Sequence, residues 1–185
     1  MKEMDTIGFL ELTSIAKGIE AVDFMLKAAD STLLMAKASC PGKYYIMICG
    51  QVGSVERSID VGVQIGGRYV VGELLIPRVH PSVIKAINMS EIPETTKAIG
   101  VLEYYSAVGS IIAADYAVKA ADVSLIAIQL GTGIAGKSFV VLTGDVGAVE
   151  AAVEAGAKGA KEKAMMINKI VLPNPRKELV ESLIQ

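Results

Sequence analysis

An internal repeat constrains the fold of this chain more than any other sequence feature. The segment Ile-Gly-Phe-Leu-Glu at 7–11 recurs as Ile-Gly-Val-Leu-Glu at 99–103, an offset of 92 (99 − 7). The segment Lys-Ala-Ala-Asp at 27–30 recurs at 119–122 with the same offset (119 − 27). Matches at a constant offset indicate that one structural unit occurs twice.

The offset then changes within the repeat. Gly-Gln-Val-Gly at 50–53 recurs as Gly-Asp-Val-Gly at 144–147, an offset of 94 (144 − 50). The second copy is therefore predicted to carry two extra residues between Cys40 and Gly136. Each copy spans about 90 residues, a size at which a lone hydrophobic core is marginal.

The apolar periodicity predicts the same elements in each copy. In the first copy, strands are predicted over 6–12, 32–38, 43–49 and 70–76, and Ser14 is a candidate N-cap for a helix. Two helices are predicted from apolar residues at helical spacing: Ile15, Ile19, Val22, Leu26 and Ala29 in the first, Val52, Val55, Ile59 and Val63 in the second. The second copy has Val146, Val149, Val153 and Ala157 in the places of this last set. The resulting order, β-α-β-β-α-β, is the ferredoxin-like arrangement of an α+β fold.

Short closing helices are predicted after the fourth strand of each copy, over 80–87 and 176–183. The predicted domains are 1–88 and 97–185, and they are joined by a linker over 89–96.

Charge and hydropathy narrow the function classes. Lys and Arg number 18 against 20 Asp and Glu, which argues against a nucleic-acid partner because phosphate binding needs excess positive charge. No apolar run of 18 residues lacks a charge, and the start, Met-Lys-Glu-Met-Asp, has no apolar core of a signal peptide. We therefore expect a cytoplasmic protein. Because its mean hydropathy is nevertheless +0.47, we also expect it to cover apolar surface in subunit contacts.

Several motifs resemble those of the bacterial microcompartment shell family. They are Ile-Gly-x-Leu-Glu at both repeat starts, Ala21-x-Asp23 and Lys27-Ala28-Ala29 in the first helix, Gly-x-Val-Gly-x-Val-Glu at the second, and the closing segment Pro77-Arg78-Val79-His80-Pro81. The resemblance covers nearly the whole chain. It implies a non-enzymatic shell protein whose tandem domains assemble as a homotrimer, a flat pseudo-hexameric tile with a central pore, beside other shell proteins.

The loop between the second and third strands resembles that of one tandem subtype in which a pore-loop cysteine holds an iron–sulfur cluster. The resemblance implies one 4Fe–4S cluster per trimer, bound by Cys40 of each subunit. It also implies a pore lined by residues of both repeats: Ser39, Pro41 and Gly42 from the first, and Gly133, Ile134, Ala135 and Gly136 from the second.

Symmetry makes such a site chemically reasonable. Three thiolates on a threefold axis match three irons of a 4Fe–4S cube, whose fourth iron then lies on the axis. An inert thiol and a zinc site with three thiolates remain alternatives for Cys40. Cys49 ends an apolar strand and is predicted to be a small core residue.

The second loop also matches a phosphate-binding pattern. Gly-Thr-Gly-Ile-Ala-Gly-Lys-Ser at 131–138 fits G-x-x-x-x-G-K-[ST], which would make the chain a nucleotide-binding enzyme. That mechanism needs a helix after the loop. The apolar run at 139–142 predicts a strand instead, so a hairpin is favoured over a nucleotide site.

Three basic residues are predicted to lie at tile edges by the same resemblance: Lys27, Lys119 and Arg78. The second copy has Leu172 aligned with Arg78 and Asn174 aligned with His80, so the edges would differ. His80 is interpreted as a hydrogen-bonding edge residue rather than a catalytic base, because no nucleophile or carboxylate pair accompanies it.

The sequence thus favours a shell tile whose cluster serves electron transfer across the shell, or cluster delivery into it, beside an encapsulated redox enzyme. The alternative is the same tile with a cluster-free pore that passes small polar metabolites.

Overall fold

Two four-stranded antiparallel sheets form the framework of the protein. The structure is a computed structural model that describes residues 5–88 and 96–183. The elements of the first repeat are β1 (Thr6–Leu12), α1 (Ile15–Ala28), β2 (Ser31–Ser39), β3 (Lys43–Gly50), α2 (Val52–Gly66) and β4 (Val70–Ile76), followed by α3 (Pro81–Asn88). Those of the second are β5 (Ala98–Tyr104), α4 (Ala107–Ala120), β6 (Val123–Leu130), β7 (Ser138–Gly144), α5 (Val146–Ala160), β8 (Met166–Pro173) and α6 (Lys177–Ser182).

Both sheets have the strand order that the ferredoxin-like prediction requires. The first is β2-β3-β1-β4 and the second is β6-β7-β5-β8. Each sheet is joined by two β-α-β crossovers, which bring the first and last strands of the repeat side by side. The predicted α+β fold with two β-α-β-β-α-β units is therefore confirmed.

The helices of the first repeat pack on one face of their sheet. Side chains alternate between the two faces of a strand, so Leu10, Leu12, Ile46 and Ile48 all point toward the helices. Two residues of α1, Ala21 and Met25, and two residues of α2 complete this core. At the start of α1, the predicted N-cap is present, since the backbone N–H of Lys17 donates to Ser14 Oγ at 3.3 Å.

The buried face of α1 differs from the predicted apolar stripe. Its buried residues are Gly18, Ala21 and Met25, whereas Ile15 and Ile19 are exposed. Small residues allow the helix to approach the sheet closely: a Cβ on Gly18 would lie only 2.4 Å from the Tyr44 ring. The stripe predicted from periodicity is thus largely an outer surface.

The chain divides into two compact units after Val79. Helix α3, predicted to close the first domain, is grouped with the second unit, where Val83 and Ala86 are buried and the helix contacts β6. The predicted linker 89–96 lies outside the described residues except for Thr96. Among the helices of residues 5–88 and 96–183, none is long and apolar enough to cross a membrane.

The register of the sheets gives the true correspondence between the repeats. The β2–β3 hairpin pairs Ser39 with Lys43 across three residues, whereas Gly131 and Lys137 close five residues in the β6–β7 hairpin. The two predicted extra residues are therefore in this loop.

A second two-residue insertion was not predicted. It lies between α5 and β8, where residues 161–165 replace the three residues between α2 and β4. Because Ile7 pairs with Ile76 while Ile99 pairs with Leu172, the offset there is 96 (172 − 76). The sequence alignment of Arg78 with Leu172 and of His80 with Asn174 was wrong. The counterpart of Arg78 is Asn174, and both have left-handed φ angles, 51° and 48°.

Candidate pore-loop site

Cys40 lies at the tip of the β2–β3 hairpin. Its side chain is half-buried, while Pro41 and Gly42 are exposed. The Cys40–Pro41 peptide bond is cis, and Gly42 has a φ of 79°, a conformation that glycine adopts without steric penalty. The loop therefore presents the cysteine at an accessible edge of the first sheet.

A group of buried polar side chains lies on the sheet next to this loop. Tyr45 of β3 is directly opposite Glu11 of β1, and Ser39 of β2 is opposite Lys43. Residues that are two apart or directly opposite point to the same face of a sheet, so these side chains share one face. Glu11 and Tyr45 have no exposed surface, and Ser39 is 7% exposed. We call Glu11, Ser39 and Tyr45 the polar cluster.

One carboxylate oxygen of the polar cluster is paired. Lys43 Nζ donates to Glu11 Oε1, and the Lys43 side chain is 20% exposed. A buried carboxylate is tolerated only when it is paired, because the loss of hydration is expensive. Lys43 therefore stabilises the buried carboxylate of Glu11 next to the hairpin loop.

The other polar atoms of the cluster make no hydrogen bond of standard geometry among the described residues, although the Ser39 and Tyr45 side chains lie close enough to interact with each other. Glu11 Oε2, Ser39 Oγ and the Tyr45 hydroxyl are buried without a hydrogen bond. Leaving a buried polar group unsatisfied costs about 1–3 kcal/mol. Three such atoms beside one loop indicate a place where a further group, such as water or a ligand, completes the hydrogen bonding.

Burial raises the pKa of Tyr45 to about 12. The interaction with the Ser39 side chain lowers the pKa of Tyr45, and electrostatic repulsion from Glu11 raises it further. The phenol is therefore neutral at physiological pH and keeps its proton as a hydrogen-bond donor.

The β6–β7 hairpin has a different loop. Gly133, Ala135 and Gly136 all have positive φ angles, and the backbone N–H of Gly131 donates to Lys137 O at 2.9 Å. A pocket of about 420 Å³ is lined by Glu103, Gly133, Ile134, Ala135, Lys137 and Phe139. Lys137 Nζ donates to Glu103 Oε1 at 3.2 Å, which repeats the pairing of Lys43 with Glu11.

The structure of the β6–β7 hairpin also tests whether residues 131–138 form a phosphate-binding loop. Residues 138–144 form β7 directly after the loop, so the helix that a phosphate-binding loop requires at this point is replaced by a strand. The predicted hairpin is confirmed, and the loop lacks the geometry of a nucleotide site.

A metal at Cys40 would need ligands from other copies of the chain. Within the described residues, no group of three or more His, Cys, Asp and Glu side chains could hold a metal ion. Cys49 is buried, and burial raises the pKa of its thiol, which disfavours the thiolate that a metal requires. A thiolate from Cys40 of three copies is a donor set that an iron–sulfur cluster accepts.

The predicted edge residues lie at the ends of helices and strands. Lys27 pairs with Asp23 and Lys119 with Asp115, both at 2.5 Å and at i,i+4 spacing in α1 and α4. Arg78 is exposed just after β4.

His80 precedes helix α3 and has a structural role. Its Nδ1 is 2.7 Å from Ser82 Oγ, and its backbone N–H donates to Asp115 Oδ1 at 2.8 Å. The backbone N–H of Ser82 also donates to His80 Nδ1 at 3.3 Å, which is the contact of a residue that caps the start of α3.

Sequence reasoning did not single out Tyr45 or Lys43. A signal was available, because the second repeat has Phe139 where the first has Tyr45. A polar residue gained in the repeat that also carries the cysteine marks chemistry specific to that repeat.

Comparisons with known proteins agree with this architecture. A family model described as the BMC domain matches residues 6–79 and 98–175. The bacterial microcompartment shell protein PduT of Citrobacter freundii is 40% identical over 179 residues, which cover 97% of each chain. The crystal structure of a microcompartment protein from Desulfitobacterium hafniense has a TM-score of 0.88 and 46% identity, over 96% of this chain and 99% of that one. The carboxysome assembly protein CcmO of Synechococcus elongatus is 26% identical over 96% of this chain and 68% of its own.

Two ferredoxin-like units in tandem, each matched by this family model, place the chain in the BMC-domain family of bacterial microcompartment shell proteins. Within the family, it is similar over its whole length to the PduT shell protein.

Proposed function

We propose that this protein is a structural shell component that forms a homotrimeric, pseudo-hexameric tile and binds one 4Fe–4S cluster at its central pore through Cys40 of each subunit. The observation that carries the cluster proposal is the half-buried Cys40 on a hairpin loop beside three unpartnered buried polar atoms.

Unequal exposure of equivalent elements supports a ring of copies. Helix α4 has ten buried residues, whereas its repeat counterpart α1 has three. The stripe positions of Ile15 and Ile19, which are 42% and 56% exposed, correspond to Ala107 and Ile111, which are fully buried. A position that is covered in one repeat and apolar but open in the other is suited to a contact with another copy.

The strands show the opposite inequality. Ile170 and Leu172 of β8 are exposed, whereas their counterparts in β4, Leu74 and Ile76, are buried. Each chain therefore has an open helix surface in one repeat and an open strand surface in the other. Such complementary surfaces associate head to tail, and a closed ring satisfies all of them.

The proposed cluster site uses one thiolate from each of three copies. Cys40 would be the ligand, with the exposed Pro41 and Gly42 lining the pore beside it and the buried Ser39 behind them. Gly133, Ile134, Ala135 and Gly136 would alternate with them around the axis. When bound, the cluster would supply one-electron redox chemistry. The residues of the chain would hold it in place and exclude bulk water from one side.

The proposed role is in the shell and not in catalysis. The cluster would carry single electrons between a redox carrier outside the shell and an encapsulated redox enzyme, or it would be passed intact to such an enzyme. Lys27, Lys119 and Arg78 would lie at the tile edges that meet other shell proteins.

Anaerobic reconstitution with iron and sulfide tests the cluster. We expect a broad visible absorption band near ~400 nm and about four irons per three chains, with both lost in Cys40→Ser. Cys49→Ser is the matched control and should retain the band. If neither wild type nor variant takes up iron, the tile would have a plain pore for small polar metabolites. Uptake of zinc alone, without sulfide, would favour a three-thiolate zinc site.

A further inference from the structure

Equivalent strands of the two repeats, β2 and β6, are covered unequally. The hairpin registers align four apolar residues of β2 with four of β6: Leu33, Leu34, Met35 and Ala36 with Leu125, Ile126, Ala127 and Ile128. The four residues of β6 are all buried, whereas Leu33 is 38% exposed and the next three residues of β2 are only half-buried. We call residues 33–36 the open β2 segment.

Helix α3 is the element that covers β6. It packs against this strand within the second unit, and its Val83 and Ala86 are buried. Because α3 follows β4 in the chain, the closing helix of the first repeat covers a strand of the second repeat.

An aspartate on the neighbouring helix fixes the start of α3. The backbone N–H of His80 donates to Asp115 Oδ1 at 2.8 Å, and the Asp115 side chain is 6% exposed. Its counterpart in the first repeat, Asp23, makes the same i,i+4 pair through Oδ2, here with Lys27, but is 56% exposed. The first repeat therefore has the same carboxylate beside its open strand.

Helix α6 corresponds to α3 and has an exposed apolar residue at the matching position. The offset of 96 at this end of the repeat aligns Arg176 with His80 and Leu179 with Val83 (176 − 80 and 179 − 83). Val180 is 3% exposed and attaches α6 to the core of the second repeat. Leu179 is 41% exposed, whereas Val83 is fully buried. One side of α6 is thus held by its own repeat, and Leu179 lies outside that contact.

We propose that α6 of one copy docks on the open β2 segment of a second copy, as α3 docks on β6. In this contact, Leu179 covers Leu33, and the backbone N–H of Arg176 donates to Asp23 Oδ1 of the second copy. The contact buries apolar surface and protects an edge strand, both of which favour association. It is head to tail, so it repeats from copy to copy, and the inference rests on the proposed trimer for the closure of the ring.

Charge substitutions test the contact from both sides. Leu179→Glu and Leu33→Glu alter residues on the surface of the single chain, so both variants should fold, but each would bury an unpaired charge in the contact. Each should raise the concentration at which the trimer dissociates by about tenfold or more, measured by light scattering over a dilution series. Val52→Glu is the matched control, because Val52 and its counterpart Val146 are both exposed.

Cross-linking tests the same contact directly. In a Cys40→Ser background, Leu33→Cys and Leu179→Cys are combined in one chain, and Cys49 is buried. A short bismaleimide should join separate chains into covalent dimers and trimers on a denaturing gel. Val52→Cys combined with Leu179→Cys should give single chains only.

The outcomes separate the contact from the trimer itself. Weaker association in both Glu variants, together with inter-chain cross-links, would support the contact. A trimeric wild type that neither Glu variant weakens, or cross-links confined to single chains, would overturn the contact and leave the tile in place. A monomeric wild type would overturn both. If Leu33→Glu does not fold, Leu179→Glu and the cross-links decide the question.

Discussion

Tyr104 ends strand β5 with its side chain fully buried and its hydroxyl without a partner in the described part of the chain. Its ring instead fills the space over Gly109, where a Cβ would come within 2.6 Å of the ring. The ring contributes packing and the hydroxyl contributes a desolvation penalty.

Tyr104→Phe should therefore raise the free energy of unfolding at pH 7 by about 1 kcal/mol, since it removes only the unsatisfied group. Urea unfolding at a fixed protein concentration measures this change. A loss of stability would show that the hydroxyl has a partner, such as a buried water.

The same residue predicts a pH dependence. Burial raises the pKa of Tyr104 to about 12, above its ordinary value of 10.0, so the unfolded chain releases this proton first. The free energy of unfolding should then fall as the pH rises from about 10 to 12. The fall should be shallower in Tyr104→Phe, and an identical slope in both proteins would contradict the pKa shift.

One contact between helix and strand is made by different residues in the two repeats. Gly18 packs under Tyr44 in the first repeat, and the counterparts in the second are Ser110 and Ser138, whose hydroxyls are 2.7 Å apart. A small residue opposite a large one, or two small polar residues, both fill the space between helix and strand.

A double-mutant cycle tests this packing. Gly18→Ser alone should be destabilising because its Cβ meets the Tyr44 ring, and Tyr44→Ser alone should lose buried area. The double variant should be more stable than the sum of the two effects by about 1–3 kcal/mol. Strict additivity in thermal or urea unfolding would mean that the two sites do not touch.

At the scale of elements, helix α1 has an apolar stripe that its own repeat does not bury. Its stripe of Ile15, Ile19 and Leu26 lies beside the buried face rather than on it. The inner face of the helix uses Gly18 and Ala21, and the stripe remains apolar on the outside.

Ile19→Glu should therefore abolish the proposed trimer, because it would introduce a charge into the apolar contact that we propose for this face of α1. Size-exclusion chromatography with light scattering measures the mass directly. Phe24→Glu is the matched control: Phe24 and its counterpart Tyr116 are 45% and 52% exposed, so this position is open in both repeats. Trimers that survive Ile19→Glu would remove α1 from the interface.

Most helices and strands, but not all of their details, could be predicted from the sequence. The repeat and the strand periodicity gave the two sheets and the extra residues of the second hairpin, because these depend on local pattern. The insertion at 161–165 was missed because that segment has no counterpart motif to align. The inner face of α1 was assigned wrongly because periodicity finds apolar residues but does not tell a core from a subunit contact.

The candidate site was predicted only in part for a related reason. Cys40 was found because its loop resembles a known type. Tyr45 and Glu11 were not found, because their burial and missing partners depend on cross-strand neighbours that are 34 residues apart (45 − 11).

At the scale of the whole molecule, the two repeats share one framework but differ in the chemistry of their hairpin loops. Both keep the sheet, the helices and the Lys–Glu pair beneath the hairpin. Only the first repeat carries the cysteine and the hydroxyls, so three copies would place three equal thiolates around one axis. A tile of six identical domains would instead place six thiolates there, too many for one cluster face.

Native mass spectrometry of the anaerobically reconstituted protein tests this account most directly. We expect one dominant species with the mass of three 19.4 kDa chains plus a single 4Fe–4S cluster, and a cluster-free trimer for Cys40→Ser. A monomer, or a trimer in which Cys40→Ser retains as much iron as the wild type, would contradict it.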